Sequence, residues 1–489
     1  MTRSPKPCCA GRWSGTARAA SCWPTTASSA TARSSIPCRL RRLPRWSPIA
    51  RYPTNSPHVW RKIMSIPSIP ELIEPSAADL AAFEALFRQS SAIGATSAGG
   101  LHRLSASAED GQVRDLFRGW LEQHGFEVRV DAIGNLFGLM TFDPDAPYLL
   151  CGSHLDSQPS AGRFDGVYGV LAGAVAVSSL ARQMRERGEI PACNLAVVNW
   201  TNEEGARFQP SLIGSGVFTG ALALEAAWDS CDGDGIRLKD ALQAIGYLGS
   251  DQFDLAIAGY VEIHVEQGSG LENSQTAVGV VRETWAALKR RVRFDGEQNH
   301  TGPTPMAARR DALLAAAHTI TAVREEAGLH GLQMHTSVGR IEVYPNSPNV
   351  VPSRVSLLIE YRSRDVELLR VAAERLDASL HAIADKTMTG FEVESSVLRA
   401  PARLNDRFAG LAHAVGAELG LSTTDSMTVA GHDAISLNRL YPVCLLFIPS
   451  SNGVSHNEAE YTSDQDMRNG LRMLTGLLYR ACASSVAFR

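Results

Sequence analysis

The spacing of apolar residues divides most of the chain into predicted helices and strands. Apolar residues three and four positions apart predict amphipathic helices, and short apolar runs bounded by turn residues predict strands. Up to residue 281 this pattern gives helices at 77–89, 112–124 and 167–187 and strands at 126–130, 135–140, 148–151, 196–200 and 277–281. Strands that alternate with helices predict an α/β fold in which a sheet is covered on both faces.

The pattern changes between residues 284 and 397. The predicted elements there are a strand at 287–295, a helix at 305–326, strands at 334–343 and 350–362, a helix at 366–384 and a strand at 391–397. This order describes a ferredoxin-like α+β unit. After it the α/β pattern returns, with a helix at 407–419, a strand at 443–448 and a helix at 462–481. The predicted organisation is one discontinuous catalytic domain, 64–283 and 398–489, interrupted by a lid domain at 284–397.

Residues 1–63 differ from the rest of the chain in charge and composition. They hold 12 of the 47 Lys and Arg residues and no Asp or Glu, and they show no helical or strand periodicity. A basic, Ser-rich leader without acidic residues is typical of an organelle transit peptide. The same features are expected if the start codon is placed too far upstream, so that sequence before the true start is translated. We favour the second explanation, in which the leader is disordered or wrongly assigned and Met64 begins the real chain.

Charge and cysteine usage in the remainder exclude several classes of partner. Residues 64–489 carry 35 basic and 51 acidic residues, a balance that disfavours nucleic acid. No apolar run reaches the length of a membrane-spanning helix, so no membrane partner is predicted. The cysteines beyond the leader stand singly, without CxxC spacing, as is typical of reduced core residues. We therefore expect a cytoplasmic protein.

A polar cluster follows the predicted strand at 148–151. It contains His154, Asp156 and Asp165, with several glycines between them. Imidazole and carboxylate are the usual non-thiolate ligands of a hydrolytic zinc-type ion, and strand ends are where sites collect in α/β sheets. A lone His-x-Asp is more often part of a solvated loop. The metal interpretation therefore depends on ligands from other segments.

Other segments supply such ligands, also in predicted strand-end loops. The five candidates are His154, Asp165, Glu204, His264 and His456. Two divalent ions that share a carboxylate need about five protein ligands, and Asp165 is the natural bridge because a carboxylate has two oxygens. Asp156 is expected to accept the second ring N–H of His154. Histidine and carboxylate ligands suit zinc, manganese, cobalt or nickel.

Three more residues are candidates for catalysis and substrate binding. Glu203 and Glu204 cannot both point the same way in extended backbone, so one can bind metal while the other acts as general base, although an isolated Glu-Glu is often a solvated turn. His300 could close over the site and donate a hydrogen bond to an oxyanion, or it could cap a loop. Arg362 could bind a substrate carboxylate with both arms of its guanidinium, or form a surface ion pair.

Six motifs, in order along residues 75–485, resemble those of one known family. They are Gly-Ser-His-Leu-Asp-Ser with Gly-Arg-Phe-Asp-Gly, Asn-Glu-Glu-Gly-Ala-Arg-Phe, His-Val-Glu-Gln-Gly, Asn-His-Thr-Gly-Pro-Thr-Pro-Met, Ala-Gly-His-Asp-Ala and Ser-His-Asn-Glu-Ala-Glu-Tyr-Thr. This set is similar to the hydantoinase/carbamoylase branch of the M20 metallopeptidase family, which includes N-carbamoyl-L-amino acid hydrolases, β-ureidopropionases and allantoate amidohydrolases. The resemblance implies a zinc-peptidase-like α/β catalytic domain with an inserted ferredoxin-like lid that forms a homodimer.

The resemblance also implies a role for each matching residue. One metal ion would be held by His154, Asp165 and His264, and the other by Asp165, Glu204 and His456. Glu203 would be the base. His264 favours the ureido-cleaving branch, because related peptidases and deacylases generally have an acidic residue in that position. The lid residues that match transition-state and substrate-carboxylate positions, some of which reach the neighbouring subunit's site, are His300, Asn349 and Arg362; Gln267 matches a substrate-side position, and His432 has no firm role.

These observations predict a binuclear metal-dependent amidohydrolase. Its small-molecule substrate would be a carboxylic acid that bears a ureido or N-carbamoyl group, and the C–N bond of that group would be cleaved. One alternative is another M20 activity, that of an aminoacylase or a dipeptidase. An alternative of a different class is a non-catalytic metal-binding scaffold, which is disfavoured because base, bridge and ligands occur together. The sequence does not distinguish among the ureido and carbamoyl substrates.

Overall fold

Two sheets, a short ribbon and the surrounding helices form the part of the chain that the computed structural model describes, residues 71–251 and 255–483. The predicted leader at 1–63 lies outside the described residues. The helices are α1 (Ala77–Ala92), α2 (Ala108–Gln123), α3 (Val167–Arg187), α4 (Ile213–Phe218), α5 (Leu224–Trp228), α6 (Leu238–Ala244), α7 (Gly270–Ser274), α8 (Ala312–His330), α9 (Val366–Thr387), α10 (Asp406–Glu418), α11 (Asp433–Leu437) and α12 (Asp464–Ala483). The strands are β1 (Glu127–Val130), β2 (Leu136–Met140), β3 (Tyr148–His154), β4 (Asn194–Trp200), β5 (Ile257–Val265), β6 (Val278–Thr284), β7 (Ala286–Asp295), β8 (Asn299–His300), β9 (His335–Tyr344), β10 (Val350–Val351), β11 (Arg354–Ser363), β12 (Gly390–Arg399), β13 (Thr423–Thr428) and β14 (Val443–Ile448).

The larger sheet has eight strands in the order β1-β2-β4-β3-β5-β14-β6-β13. Its central strands β4, β3, β5 and β14 run parallel to one another. The outer pair β1 and β2 joins antiparallel at one side. Because parallel strands end at the same edge of a sheet, the segments that follow the four central strands meet there.

Helices cover both faces of this sheet. On one face α3 packs directly on β3, β4 and β5 within the larger apolar core. The close approach requires small residues, since a Cβ on Gly169 would lie 2.3 Å from the carbonyl oxygen of Ile263. The other face packs a second core around Trp200 and Phe447, beside α4 and α11. The α/β class predicted from the sequence is confirmed.

The smaller sheet has four antiparallel strands in the order β12-β7-β11-β9 and lies within residues 286–399, which we call the insert. Helices α8 and α9 pack on one of its faces and enclose a separate apolar core that includes Phe294 and Ile359. The other face carries charged side chains such as Lys289 and Glu360. Strands β8 and β10 pair in a separate two-stranded ribbon.

Two elements predicted for the insert differ in the structure. The helix predicted at 305–326 begins only at Ala312, because the Asp311 side chain caps it by accepting hydrogen bonds from the Leu313 and Leu314 amides. It continues to His330. The single strand predicted at 350–362 is two strands, β10 and β11, separated by Pro352, which has no amide hydrogen to continue the ladder.

Within residues 71–251 and 255–483, one helix, α3, is long and apolar enough to cross a membrane by length and composition alone. The prediction that no apolar stretch reaches spanning length is therefore wrong for this helix. However, 83% of the apolar 18-residue stretch of this helix is buried inside the protein, as is typical of a core helix. Its glycine-rich face is used to approach the sheet, so packing explains why the helix is so apolar.

Candidate metal centre

Four parallel strands bring five histidine and acidic side chains to one edge of the larger sheet. His154 is the last residue of β3, and Glu203 and Glu204 follow the end of β4. His264 is the residue before the last in β5, and His456 follows the end of β14. Since β4, β3, β5 and β14 are adjacent in the sheet, residues far apart in sequence lie next to one another.

Asp165 lies between two groups of ligand atoms. Its Oδ1 is 3.0 Å from Nε2 of His264 and 3.5 Å from Nε2 of His154. Its Oδ2 is 3.3 Å from Nε2 of His456, which in turn is 3.4 Å from Oε2 of Glu204. Within each group all the ligand atoms lie within 4.8 Å of one another. Each carboxylate oxygen of Asp165 therefore faces a different group.

Backbone carbonyls fix the orientation of two of the histidine rings. Nδ1 of His154 lies 2.9 Å from the carbonyl oxygen of Asp156, and Nδ1 of His264 lies 2.8 Å from that of Val265. A carbonyl only accepts hydrogen bonds, so each Nδ1 carries a proton, and the lone pair that a metal ion could use is that of Nε2. At His264 this lone pair accepts a hydrogen bond from the Gly166 amide, 3.1 Å away.

The role of Asp156 differs from the one expected from the sequence. Its backbone carbonyl, not its carboxylate, accepts from the His154 ring; the nearest carboxylate oxygen is 3.7 Å away. The carboxylate instead accepts hydrogen bonds from the backbone amides of Glu203 and Glu204, each at 3.4 Å. Asp156 therefore joins the loop that follows β3 to the loop that follows β4.

The adjacent glutamates point into different parts of the centre. Oε2 of Glu203 is 3.5 Å from Nε2 of His154, whereas Glu204 faces His456. Burial raises the pKa of Glu203 well above its ordinary value, and the neighbouring carboxylates of Asp433 and Glu204 add to the effect. A carboxylate with a raised pKa is a stronger base near neutral pH.

Two residues that the sequence reasoning did not single out hold Asp165 in place. Glu460 accepts hydrogen bonds from the amides of Phe164 and Asp165, at 3.0 and 3.1 Å. The Ser455 hydroxyl is 3.1 Å from Oδ2 of Asp165 and 3.0 Å from Oε2 of Glu460. Both residues lie in the Ser-His-Asn-Glu-Ala-Glu motif that also contains His456, which was the available signal.

A cavity of about 600 Å³ opens above the centre. It is lined by the insert and by residues outside the insert, which we call the host domain. Gln267 is on the host side, where its Nε2 donates to Oδ2 of Asp165 at 2.6 Å. The insert contributes Arg362, together with Lys289, Glu360 and Arg399. Arg362 pairs with Glu360, 3.0 Å away, and donates to the carbonyl oxygen of Val429. Arg362 is thus at the cavity, as expected of a substrate-binding residue.

His300 and Asn349 are not brought to this cavity. His300 is exposed and pairs with Val350 in the β8–β10 ribbon, where the Thr301 amide donates to the carbonyl oxygen of Asn349 at 3.2 Å. Neither residue lines the cavity formed by the described residues of this one chain. They lie beside each other on the insert, away from the centre that they were expected to cover. His432, by contrast, is buried against the His264 ring.

The donor set fits divalent ions. Two histidines and a carboxylate form one group, and a histidine with two carboxylates forms the other, which are the ligands preferred by hydrolytic metal ions. Oε1 of Glu204 is buried and has no hydrogen-bond partner among the described residues. Burying a carboxylate oxygen that has no hydrogen-bond donor destabilises a folded protein unless a bound cation neutralises the negative charge.

Comparison with known proteins identifies the family. Residues 150–480 match the family described as peptidase family M20/M25/M40. The chain belongs to the M20 family. This M20 protein is 36% identical over 370 residues to an N-carbamoyl-L-amino-acid amidohydrolase of Rhizobium meliloti, a match that covers 75% of this chain and 88% of the relative. It is 33% identical over 393 residues to an allantoate amidohydrolase of Bacillus subtilis, covering 79% and 94%.

A solved structure shares the fold of this M20 protein. A hydantoinase/carbamoylase family amidase from Burkholderia vietnamiensis superposes with a TM-score of 0.80 at 34% identity, covering 83% of this chain and 98% of the other. The family resemblance inferred from the motifs is confirmed, and the protein is a hydrolase of this metal-dependent family.

Gly166, which precedes α3, offers a test of the ligand geometry with a control at the other end of the same helix. Its φ is +66°, and a Cβ there would lie 2.3 Å from the His154 ring. Gly188, which follows the same helix, has a φ of +67° and nothing within 4 Å. Gly188 has a ψ of +24°, in the left-handed helical region, where an L-residue costs about 1–2 kcal/mol, whereas the ψ of Gly166 is −49°, which is less favourable still for an L-residue. Gly166→Ala and Gly188→Ala should therefore both lower the melting temperature, Gly166→Ala by more. Only Gly166→Ala should also lower the metal content, measured by elemental analysis.

Equal metal content in the two glycine variants would contradict the geometry. The ring of His154 could then shift freely, and its contact with Gly166 would not fix the ligand. The Gly188→Ala variant shows how much metal is lost when a positive-φ glycine of the same helix is replaced without any contact to His154, and metal content is compared well below both melting temperatures.

Proposed function

We propose that this M20 protein is a binuclear metal-dependent amidohydrolase that cleaves the C–N bond of a ureido or N-carbamoyl group on a small carboxylic acid. The observation that carries the proposal is the position of Asp165, whose two oxygens face two separate ligand groups. One ion would be held by His154, Asp165 and His264, and the other by Asp165, Glu204 and His456. The named activities of the two relatives support the choice of bond.

The chain's own residues divide the remaining chemistry among them. Divalent ions held in these groups would supply Lewis-acid activation of the substrate carbonyl and of the attacking water. Glu203, with its raised pKa, would take the proton of that water and give it to the leaving nitrogen. Arg362 would bind the substrate carboxylate, because its guanidinium lines the cavity on the side of the insert.

We also propose that the insert is a lid and that two chains dimerise through it. Strand β9 is at the edge of the four-stranded sheet, where its backbone groups are available to a second chain. Large apolar side chains are exposed nearby, including Ile341 at 45% and Tyr344 at 63%. His300 and Asn349 lie away from the cavity of their own chain, so a partner's cavity is the place where they would act.

Mixing two inactive variants tests whether each subunit contributes His300 to the cavity of the other. Glu203→Gln and His300→Ala should each be nearly inactive alone. In a mixed dimer, the subunit that keeps Glu203 would receive His300 from its partner, so one of two sites is complete. After random exchange of subunits about a quarter of the wild-type rate should return, measured as ammonia release. If His300 acts within its own chain, the mixture will stay as inactive as its components.

A substrate panel tests the reaction itself. Stripped protein would be reconstituted with zinc, manganese, cobalt or nickel and offered N-carbamoyl amino acids, allantoate, N-acyl amino acids and dipeptides side by side. We expect hydrolysis of ureido or carbamoyl compounds with at least one metal. Turnover confined to N-acyl amino acids or dipeptides would replace the proposal with an aminoacylase or peptidase activity. A protein that binds metal but hydrolyses none of these compounds would indicate a non-catalytic metal-binding scaffold.

The remaining proposals concern location and domain limits. We propose a cytoplasmic protein, since Cys151, Cys193, Cys444 and Cys482 are buried free thiols, as expected in a reducing compartment. The acidic charge of residues 64–489 supports the absence of nucleic-acid partners. We keep 64–283 and 398–489 as the catalytic domain and 284–397 as the lid and dimerisation domain.

A further inference from the structure

The insert places a second arginine beside the first on its open sheet face. In the sheet register Arg362 of β11 and Arg399 of β12 are both opposite Ala287 of the central strand β7. Directly paired residues of antiparallel strands project to the same face, so both guanidinium groups are on the side that lines the cavity. Their Cα atoms are two strand spacings apart, about 10 Å. The small side chain of Ala287 between them leaves the two groups room to converge.

The two arginines differ in how their charge is balanced. Arg362 is paired with Glu360 and donates to the Val429 carbonyl. Arg399 has no ion-pair or hydrogen-bond partner among the described residues, and its Nε is buried. Burial lowers the pKa of Arg399 and the nearby charge of Arg362 adds to this effect, which the carboxylates of Glu360 and Glu203 offset only in part. An arginine in this situation is poorly stabilised by the protein alone and gains most from an anionic ligand.

The charge of the neighbouring residues leads to the same conclusion. Lys289 lies two residues from Ala287 on the same face of β7. It is 3.8 Å from the Glu360 carboxylate, which also forms an ion pair with Arg362. Among the residues that the insert contributes to the cavity, one acidic side chain therefore faces three basic ones. A substrate with a single carboxylate, bound at Arg362, would leave Arg399 without a partner.

We propose that Arg399 binds a second carboxylate of the substrate, so that the preferred substrates are N-carbamoyl derivatives of dicarboxylic amino acids. This inference rests on the proposed function, because it names the substrate class of the same site. Arg362 would bind the α-carboxylate and Arg399 the side-chain carboxylate. The ureido carbon would remain over the centre formed by Asp165 and its neighbours.

Two isosteric substrates test the inference. Wild-type protein should favour N-carbamoyl-L-glutamate over N-carbamoyl-L-glutamine, because only the first offers a second carboxylate. Hydrogen bonds between charged groups contribute about 1.5–3 kcal/mol, so Arg399→Met should lower kcat/KM for the glutamate derivative about 10- to 100-fold. The same variant should change kcat/KM for the glutamine derivative only slightly. Arg399→Lys, which keeps the charge but not the planar fork, should fall between the two.

Arg354→Met is the matched control for net charge. Arg354 is at the opposite end of β11, is exposed and pairs with Asp295, so its loss should leave both rates unchanged. The inference is overturned if wild-type protein shows no preference for the glutamate derivative. It is also overturned if Arg399→Met lowers both rates equally, which would make Arg399 a general or structural residue.

A binding measurement separates this inference from the proposed function. If no ureido compound is hydrolysed, the proposed function fails, but calorimetry can still compare glutarate with butyrate on the intact protein. Tighter binding of glutarate that is lost in Arg399→Met would support the second carboxylate site on its own. Equal affinity for the two acids would overturn it.

Discussion

Asp165→Ala should remove both metal ions and nearly all activity. Its two oxygens face different ligand groups, so its loss takes one ligand from each group at once. Two bound ions supply several kcal/mol of transition-state stabilisation, so we expect kcat/KM to fall about 10⁴-fold or more. Elemental analysis of the purified variant should find neither ion. Circular dichroism should show the wild-type fold, because Asp165 stands at the sheet edge and not in the apolar core.

His154→Ala and His413→Ala are the companions of this variant. His154 belongs to one ligand group only, so its loss should empty chiefly one position and leave about one ion per chain. His413 is away from the centre and pairs with Asp425, so its loss should leave the metal content unchanged. Loss of the same single ion from Asp165→Ala and His154→Ala would contradict a bridging role for Asp165.

Glu203→Gln should keep the metal and lose most of the turnover. The substitution preserves the size and hydrogen-bonding shape of the side chain but removes its ability to take a proton. Loss of a positioned general base typically costs about 10²- to 10⁴-fold in rate, so kcat should fall by this amount while KM changes little. Steady-state kinetics on the best N-carbamoyl substrate, together with metal analysis, would measure both effects.

Glu204→Gln provides the contrast for the adjacent residue. Because Glu204 belongs to a ligand group, its substitution should lower metal content as well as rate. A near-normal rate for Glu203→Gln would remove Glu203 as the base. Loss of metal from Glu203→Gln would instead make it a ligand.

Much of the centre could be predicted because its residues follow apolar strands. The predicted strands at 148–151 and 196–200 indicated where the polypeptide leaves the sheet, and His154 and Glu203 lie close to those points. The chemistry of carboxylates then suggested a bridge at Asp165. These conclusions depend on strand order and ligand type, both of which leave a clear pattern in the sequence.

Other features depend on conformation that residue patterns do not reveal. Asp156 orients His154 with its carbonyl and not its carboxylate, which is decided by the backbone path after β3. Strand β13 is polar and at a sheet edge, so it has no apolar run to detect. Arg399 was missed because the predicted strand ended at residue 397, two residues before the strand does.

The position of the ribbon could not be derived from one chain's sequence either. His300 follows the predicted strand at 287–295, yet it does not line the cavity formed by the described residues of its own chain. Only the resemblance to a dimeric family suggested a second subunit as its place of action. Tertiary placement of short ribbons depends on contacts far along the chain, which local spacing does not encode.

The most direct test of a two-ion hydrolase is a metal titration followed by activity. Protein stripped of metal would receive manganese or zinc in steps while bound metal per chain and ammonia release from an N-carbamoyl amino acid are recorded together. We predict binding that saturates at two ions per chain, with full hydrolysis only when both are bound. Saturation at one ion with full activity, or two bound ions without hydrolysis of any ureido compound, would contradict the account.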